Sequence, residues 1–247
     1  MISPMRAQGW LEGDPTGTIE RQQMRYSGDY DFYDRDQIDA LIAAAAGDQD
    51  ATVYLTASMT GLRRGELVGL RSRDVDFAGQ AIRVRAGYSF GEPVTPKSGK
   101  VRSVPMVPEL AQALALLRQR EFFTDQQHPV FAGAGGGHLD ASALRPRYAK
   151  AVQRAGLRPL PFHSLRHYFG SMAMNRASLV QVQARMGHSH IQTTAATCTP
   201  RARRTMRRCW RAPLRRAMSR CRLRPPDAQA DGRGLPEVRL RWWWWDG

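Results

Sequence analysis

The spacing of apolar residues changes once along the middle of this chain, and that change limits the folds open to it. Apolar side chains recur three and four positions apart from residue 33 onward, as in Ile38, Leu41 and Ile42, which predicts amphipathic helices. Residues 81–85 and 101–106 alternate apolar and polar instead, which predicts half-buried strands. Helical spacing returns at Pro108. The pattern predicts a mainly α domain with one small antiparallel sheet of two or three strands, an α+β fold, over residues 32–198.

Capping residues and helix breakers predict where the helices begin and end. Asp34 or Asp36 can cap a helix that begins near Tyr33, and Pro108 suits the first turn of another. Gly61 and Gly187 each end a helix, because glycine adopts the left-handed conformation readily. Helices are predicted over residues 50–59, 64–70, 108–120, 141–155, 163–175 and 178–186, with a last one beginning near residue 191. Residues 89–96 are rich in turn formers and predict a loop.

Positive charge is concentrated in the last fifth of the chain. The net charge is +15, and residues 199–247 contain 14 arginines against four acidic residues. The same segment holds the run Trp242–Trp245. One interpretation is a disordered basic arm that binds nucleic acid. The other is a shifted reading frame, since the Ala196–Thr197 codon junction permits a tyrosine in the neighbouring frame. Residues 1–31 are polar and predict a disordered or extended lead-in.

Several classes of protein are not expected from this sequence. It has no apolar run long enough for a membrane span and no secretory signal, so we expect a cytoplasmic protein. The three cysteines, Cys198, Cys209 and Cys221, lack metal-ligand spacing and do not predict disulfides. The glycine-rich residues 132–137 lack the Gly-Lys-Ser/Thr ending of a phosphate loop. Neither a metal nor a cofactor is expected.

Arginine, lysine and histidine stand at turns and helix starts where they could bind an anion. Arg63 follows Gly61 at the start of a helix, and Glu66 lies three positions on, where it can orient the guanidinium. His163 and Arg166 share a helix face, so together they could hold a phosphate and handle a proton. Two further residues complete the set: Lys97 on a predicted hairpin tip and His188 after Gly187. Each group taken alone is also typical of a solvated surface or a structural turn.

In order and spacing, these segments resemble the catalytic domain of the tyrosine recombinases, the phage integrase family, over about residues 32–195. The matching segments are Thr60-Gly61-Leu62-Arg63 with Glu66, the hairpin lysine Lys97, His163-x-x-Arg166, Gly187-His188, and the approach to the family's nucleophile at Ile191-Gln192-Thr193-Thr194. Each motif is weak by itself, and their combination in this order carries the resemblance.

The resemblance implies the family's fold and its chemistry on double-stranded DNA. A tyrosine hydroxyl attacks a backbone phosphate, a covalent protein–phosphate intermediate forms, and a 5′-hydroxyl later reverses the step without metal or ATP. Arg63 and Arg166 would hold the nonbridging oxygens. His163 and His188 would add hydrogen bonds and proton transfer, and Lys97 would protonate the leaving oxygen. Self-association on DNA is expected as well.

Three departures from the family pattern bear on activity. The nucleophile is expected at Thr197 or Cys198, yet no tyrosine follows Tyr168, which we interpret as a packing residue. A cysteine side chain is much shorter than that of tyrosine, so Cys198 is a poor substitute. Ser164 replaces a frequent aspartate, and about 31 leading residues are too few for the family's separate DNA-gripping domain. The sequence therefore predicts an impaired recombinase. The alternatives are a noncatalytic DNA-binding remnant and a general Arg-rich nucleic-acid binder.

Overall fold

The computed structural model describes residues 31–89, 91–95, 99, 101–122 and 125–198. Its helices are α1 (Arg35–Ala43), α2 (Asp48–Thr60), α3 (Arg64–Gly69), α4 (Pro108–Arg118), α5 (Ala141–Arg154), α6 (Ser164–Ala173), α7 (Leu179–Met186) and α8 (Ile191–Thr197). Its strands are β1 (Val75–Asp76), β2 (Ala81–Val84), β3 (Gly87–Ser89), β4 (Glu92–Val94) and β5 (Arg102–Pro105), and a 3₁₀ turn spans Ser72–Asp74. The predicted mainly helical α+β fold is confirmed. Lys97 and the segments 1–30 and 199–247 lie outside the described residues.

The strands form two small antiparallel sheets rather than the single one predicted. Strand β2 pairs with β1 on one side and with β5 on the other, with Ile82 opposite Val104. Strands β3 and β4 form a separate hairpin, and β4 lies within the stretch that the sequence predicts to be a loop. That prediction was wrong because Glu92–Val94 is exposed on both faces, so β4 has no apolar–polar alternation.

The predicted helix boundaries follow the local chemistry. Asp34 caps α1, accepting a hydrogen bond from the backbone N–H of Gln37 at 2.9 Å. Pro108 is the first residue of α4. Gly61 and Gly187 end α2 and α7 in the left-handed conformation, with φ of 63° and 65°. Glycine is favoured at both positions because a side chain there meets steric repulsion from the backbone.

Helix α2 lies at the centre of the domain and is buried on nearly all of its faces. It packs against α1, α4 and α6. Its buried hydroxyls need partners, and Thr52, Thr56 and Thr60 each donate to the carbonyl four residues earlier, at 2.5–2.7 Å. Helix α2 ends inside the protein at Gly61, which is buried against Phe169 of α6, and α3 then begins at Arg64.

The end of α2 lies against α6, which connects it to the later part of the chain. Helix α6 packs against α2, α7 and α8, while α7 also packs against β5. Residues from both halves of the chain are therefore brought together here. Within the described residues, no helix is both long enough and apolar enough to cross a bilayer.

Candidate active site

Arg63 is held from two sides at the start of α3. Its guanidinium donates to Glu66 Oε1 at 3.0 Å and to the Gly187 carbonyl at 2.9 Å. Its backbone N–H donates to Glu66 Oε2 at 2.8 Å, so Glu66 orients both the residue and its side chain, as the sequence suggests. The side chain remains 29% exposed. Arg63 is thus fixed in direction while an edge of its guanidinium faces solvent.

Arg166 is a buried cation held by main-chain oxygens. It is 2% exposed and donates to the carbonyls of Gly61 and Met186, the latter at 2.6 Å. Its pKa is lowered to about 9, chiefly by burial; the positive charges of Arg63 and Arg102 act in the same direction, and Glu66 opposes them. Arg166 therefore stays protonated at neutral pH. A buried guanidinium of this kind is well suited to bind an anion that enters beside it.

Arg102 on β5 is part of this cluster, although the sequence analysis did not identify it. Its guanidinium makes two parallel hydrogen bonds to Glu66, at 2.9 and 2.7 Å, and its Nε donates to the Arg185 carbonyl at 2.9 Å. A signal was present in the sequence. Arg102 alternates with Val104 and Met106, which are fully buried, so it lies on the inner face of the strand. A charged residue on a buried strand face indicates a specific partner.

Glu66 is the acid shared by these arginines. It is 5% exposed and pairs with both Arg63 and Arg102. Burial alone would raise its pKa, but the hydrogen bonds and charge of Arg102, and then those of Arg63, outweigh burial and lower the pKa. One carboxylate thus faces three guanidiniums. The cluster carries surplus positive charge, which favours binding of an anion.

His188 lies beside the arginine cluster in the turn after Gly187. Its Nδ1 is 3.0 Å from the hydroxyl oxygen of Thr194 on α8, a contact that fixes the ring plane. Burial lowers its pKa to about 3, and the nearby charges of Arg166 and Arg63 act in the same direction. The imidazole is therefore neutral at physiological pH. In that form, one ring nitrogen can donate a hydrogen bond and the other can accept one.

His163 lies at the rim of the same cluster, at the start of α6. His163 is exposed at the surface, yet protein surrounds the ring closely enough that desolvation is the largest cause of its lowered pKa, about 4. The charges of His167, Arg166 and Arg63 add to this effect. Its ring packs edge-on against that of His167, with centroids 5.0 Å apart. His163 thus joins the cluster as a neutral imidazole.

The expected nucleophile position lies at the end of α8. Thr197 is buried, and its hydroxyl donates to the Thr193 carbonyl at 2.7 Å. Burial raises the pKa of Cys198 to about 11, so its thiol stays protonated at neutral pH. The sulfur packs so close to Gly170 that a Cβ at Gly170 would lie 3.2 Å from it. Tyr168 is buried in the hydrophobic core, consistent with a packing role.

A groove of about 640 Å³ extends from Arg63 between α3, the β3–β4 hairpin and the start of α5. Its lining includes Arg64, Tyr88 and His138. The rings of Tyr88 and His138 stack with centroids 3.9 Å apart, and His138 Nδ1 lies 2.8 Å from the Val68 carbonyl oxygen. The groove therefore offers cations and flat rings next to the arginine cluster, a combination that suits nucleic acid.

Comparison with known sequences identifies the family. The sequence model of the phage integrase family matches residues 31–199. A tyrosine recombinase XerC-like protein of Caldanaerobacter subterraneus is 28% identical over 211 residues, covering 75% of this chain and 52% of that protein. Tyrosine recombinase XerC of Corynebacterium efficiens is 32% identical over 166 residues, covering 64% of this chain and 50% of that protein. The chain spans about half the length of these curated relatives.

Solved structures agree with the sequence comparisons. The crystal structure of XerA recombinase is similar with a TM-score of 0.59 and 26% identity, covering 74% of this chain and 66% of that one. A structure of the Tn1549 transposon integrase in complex with circular intermediate DNA has a TM-score of 0.56 and 26% identity, covering 69% of this chain and 62% of that one. By its sequence and by its fold, this chain belongs to the phage integrase family of tyrosine-type site-specific recombinases.

Proposed function

We propose that residues 32–198 form a recombinase catalytic domain that binds double-stranded DNA and seats one backbone phosphate against Arg63, Arg166, His163 and His188. One observation carries the proposal: residues from α3, α6 and the α7–α8 turn gather around the Gly61 and Gly187 carbonyls, with one carboxylate against three arginines. The Tn1549 integrase, a relative in fold, is in complex with DNA, which supports the same ligand here.

The proposed chemistry is phosphoryl transfer assisted by fixed cations. A nucleophilic hydroxyl bonds to phosphorus as the bond from phosphorus to the 5′-oxygen breaks. Arg63 and Arg166 stabilise the charge on the nonbridging oxygens, since their guanidiniums are already oriented before DNA arrives. Of the two neutral histidines, His163 and His188, one accepts the proton that the attacking hydroxyl loses and the other donates a hydrogen bond to the phosphate. Lys97, by resemblance to the family, gives the proton to the leaving 5′-oxygen, and attack by a 5′-hydroxyl then reverses the step.

We further propose that cleavage by this chain is impaired. The Thr197 hydroxyl donates a hydrogen bond to the Thr193 carbonyl within α8, and the Cys198 thiol is protonated at neutral pH. Neither matches the reach or chemistry of a phenol. The chain would still bind DNA, self-associate on it and act in the cytoplasm. Residues 1–31 would be a lead-in. The Arg-rich residues 199–247 would be either a basic arm or the product of a shifted frame.

Trapping a covalent protein–DNA adduct tests this proposal. Nicked suicide duplexes with randomised flanks are incubated with the native chain, with Thr197→Tyr and with the matched control Thr197→Phe. Release of the short nicked strand prevents reversal, so any adduct accumulates on a denaturing gel. We expect salt-sensitive DNA binding by all three and an adduct with Thr197→Tyr alone.

Two outcomes contradict parts of this expectation. An adduct with the native chain shows that cleavage is not impaired. If folded Thr197→Tyr binds duplex DNA without forming an adduct, the domain is a noncatalytic DNA-binding remnant.

A further inference from the structure

Arg102 makes contact with every group that anchors Arg63. Glu66, which accepts hydrogen bonds from the Arg63 guanidinium and backbone, is also gripped by Arg102 through both carboxylate oxygens. The second anchor of Arg63 is the Gly187 carbonyl. Arg102 packs directly against Gly187, since a Cβ there would lie 3.0 Å from the Arg102 Nη1. The position of Arg63 therefore depends on Arg102 in two ways, through Glu66 and through Gly187.

The same guanidinium also holds the turn that carries His188. Its Nε donates to the Arg185 carbonyl in the last turn of α7, two residues before Gly187. The close approach is possible because Gly187 has no side chain and adopts φ of 65°. Arg102 thus joins β5, α3 and the end of α7 at one point.

Arg102 itself is placed to hold Glu66 and the end of α7. All three of its nitrogens donate to protein oxygens, at 2.7–2.9 Å. Its side chain is 8% exposed, against 29% for Arg63. Planar geometry is essential here, because a lysine ammonium cannot span both carboxylate oxygens and a carbonyl in one plane.

We propose that Arg102 is a positioning residue, which locks Glu66 and the Gly187–His188 turn so that Arg63 and His188 face one phosphate. This inference rests on the proposed function, because it assumes that the arginine cluster is the phosphate site. The contribution of Arg102 is geometric: its charge alone, without the planar fork, would leave Glu66 and the turn free to shift.

Inorganic phosphate is a direct probe of this idea, because its binding needs neither a nucleophile nor a target sequence. The full chain is titrated with phosphate while the imidazole signals of His163 and His188 are followed by NMR. Arg102→Met and Arg102→Lys are compared with Arg83→Met. Arg83 lies on the neighbouring strand β2 opposite Ser103, and it pairs with Asp76 at the surface with its side chain 51% exposed.

We expect saturable shifts in the native chain and a Kd at least tenfold higher in both Arg102 variants. The Arg83→Met variant should bind within twofold of the native chain. A merely structural role for Arg102 would lower the melting temperature but leave the Kd of the folded protein unchanged. Native-like binding by folded Arg102→Lys or Arg102→Met overturns the inference.

Two further variants separate this inference from the proposed function and guard against misfolding. If Arg63→Ala leaves phosphate binding unchanged, or if the native chain gives no response, the phosphate site itself is wrong. If Arg63→Ala weakens binding and the Arg102 variants do not, only the role of Arg102 is wrong. Should Arg102→Met fail to fold, Glu66→Gln replaces one acceptor oxygen by an amide and should also raise the Kd at least tenfold, whereas native-like binding by this variant overturns the inference.

Discussion

The pKa of His188 depends on the charges that surround its side chain. Its pKa is lowered to about 3 by burial first and by three arginines and His163 after that. An anion bound in the cluster would cancel part of that positive field. Phosphate or duplex DNA should therefore raise the pKa of His188 towards its ordinary value, with His163 moving in the same direction.

The lowered pKa values of these histidines make stability depend on pH. Between the ordinary imidazole pKa, about 6.5, and the folded value of about 3, the unfolded chain binds a proton at His188 that the folded chain does not. The free energy of unfolding should therefore be highest above pH 6.5 and should fall as the solution is acidified. His163 and the lowered pKa of Glu66 act in the same direction.

Urea unfolding at pH 7.5 and pH 5 measures this dependence. His188→Gln should show a smaller loss of stability on acidification than the native chain, because the group that distinguishes folded from unfolded protonation has been removed. His190→Gln, at an exposed histidine two positions away, serves as the control and should behave like the native chain. Equal losses in native and His188→Gln would show that His188 is not a buried neutral imidazole.

At the scale of elements, the break between α2 and α3 decides where the arginines lie. Gly61 ends α2 with φ of 63°, its carbonyl accepts a hydrogen bond from Arg166, and a Cβ there would lie 2.4 Å from the Phe169 ring on α6. The turn is therefore compressed between two helices. A side chain at this position must displace the Phe169 ring, which lies on the helix that carries Arg166.

The substitution Gly61→Ala should destabilise the domain by roughly 3 kcal/mol, combining left-handed backbone strain with overpacking against Phe169. Gly156→Ala is a matched control, since Gly156 also has φ of 65° but nothing lies within 4 Å of its Cβ position. It should lose about 1 kcal/mol from strain alone. Urea unfolding of the two variants checks the difference, and equal losses would mean that α6 yields to the added methyl group.

For the whole molecule, the densest run of positive charge and the arginine cluster lie in different segments of the chain. Residues 199–247 contain 14 of the 37 basic residues, while the cluster of Arg63, Arg102 and Arg166 lies within the described domain. Nonspecific attraction to DNA scales with the number of basic groups near phosphates, whereas a phosphate site depends on a few fixed groups. Removal of residues 199–247 should therefore weaken nonspecific attraction to DNA without changing the phosphate site.

A chain that ends at Cys198 should keep the melting temperature and the phosphate affinity of the full chain. Its affinity for duplex DNA should depend less steeply on salt, because the basic residues of the last segment no longer displace counterions. Binding isotherms at several salt concentrations measure this slope. If the truncated chain no longer binds phosphate, the phosphate site does not belong to the described domain alone. An unchanged salt slope would show that residues 199–247 do not bind DNA.

By itself, the sequence determined those features that depend on near neighbours along the chain. Helix spacing, the cap at Asp34, the helix start at Pro108, and the glycine breaks at Gly61 and Gly187 are local, since each depends on residues within one or two turns. The order of the arginine and histidine motifs was sufficient to predict the family. Hairpin β3–β4 was missed because its exposed strand lacks the alternation on which strand prediction depends.

Only the tertiary structure decided which of these residues meet and how strongly their chemistry is altered. Arg102 reaches Glu66 across 36 positions, and Arg63 reaches the Gly187 carbonyl across 124. Such pairs arise when α3, β5 and the end of α7 pack together, and no local pattern encodes them. Burial of Arg166, the neutral state of His188 and the protonated thiol of Cys198 follow from the same packing, because desolvation depends on surroundings that the whole fold supplies.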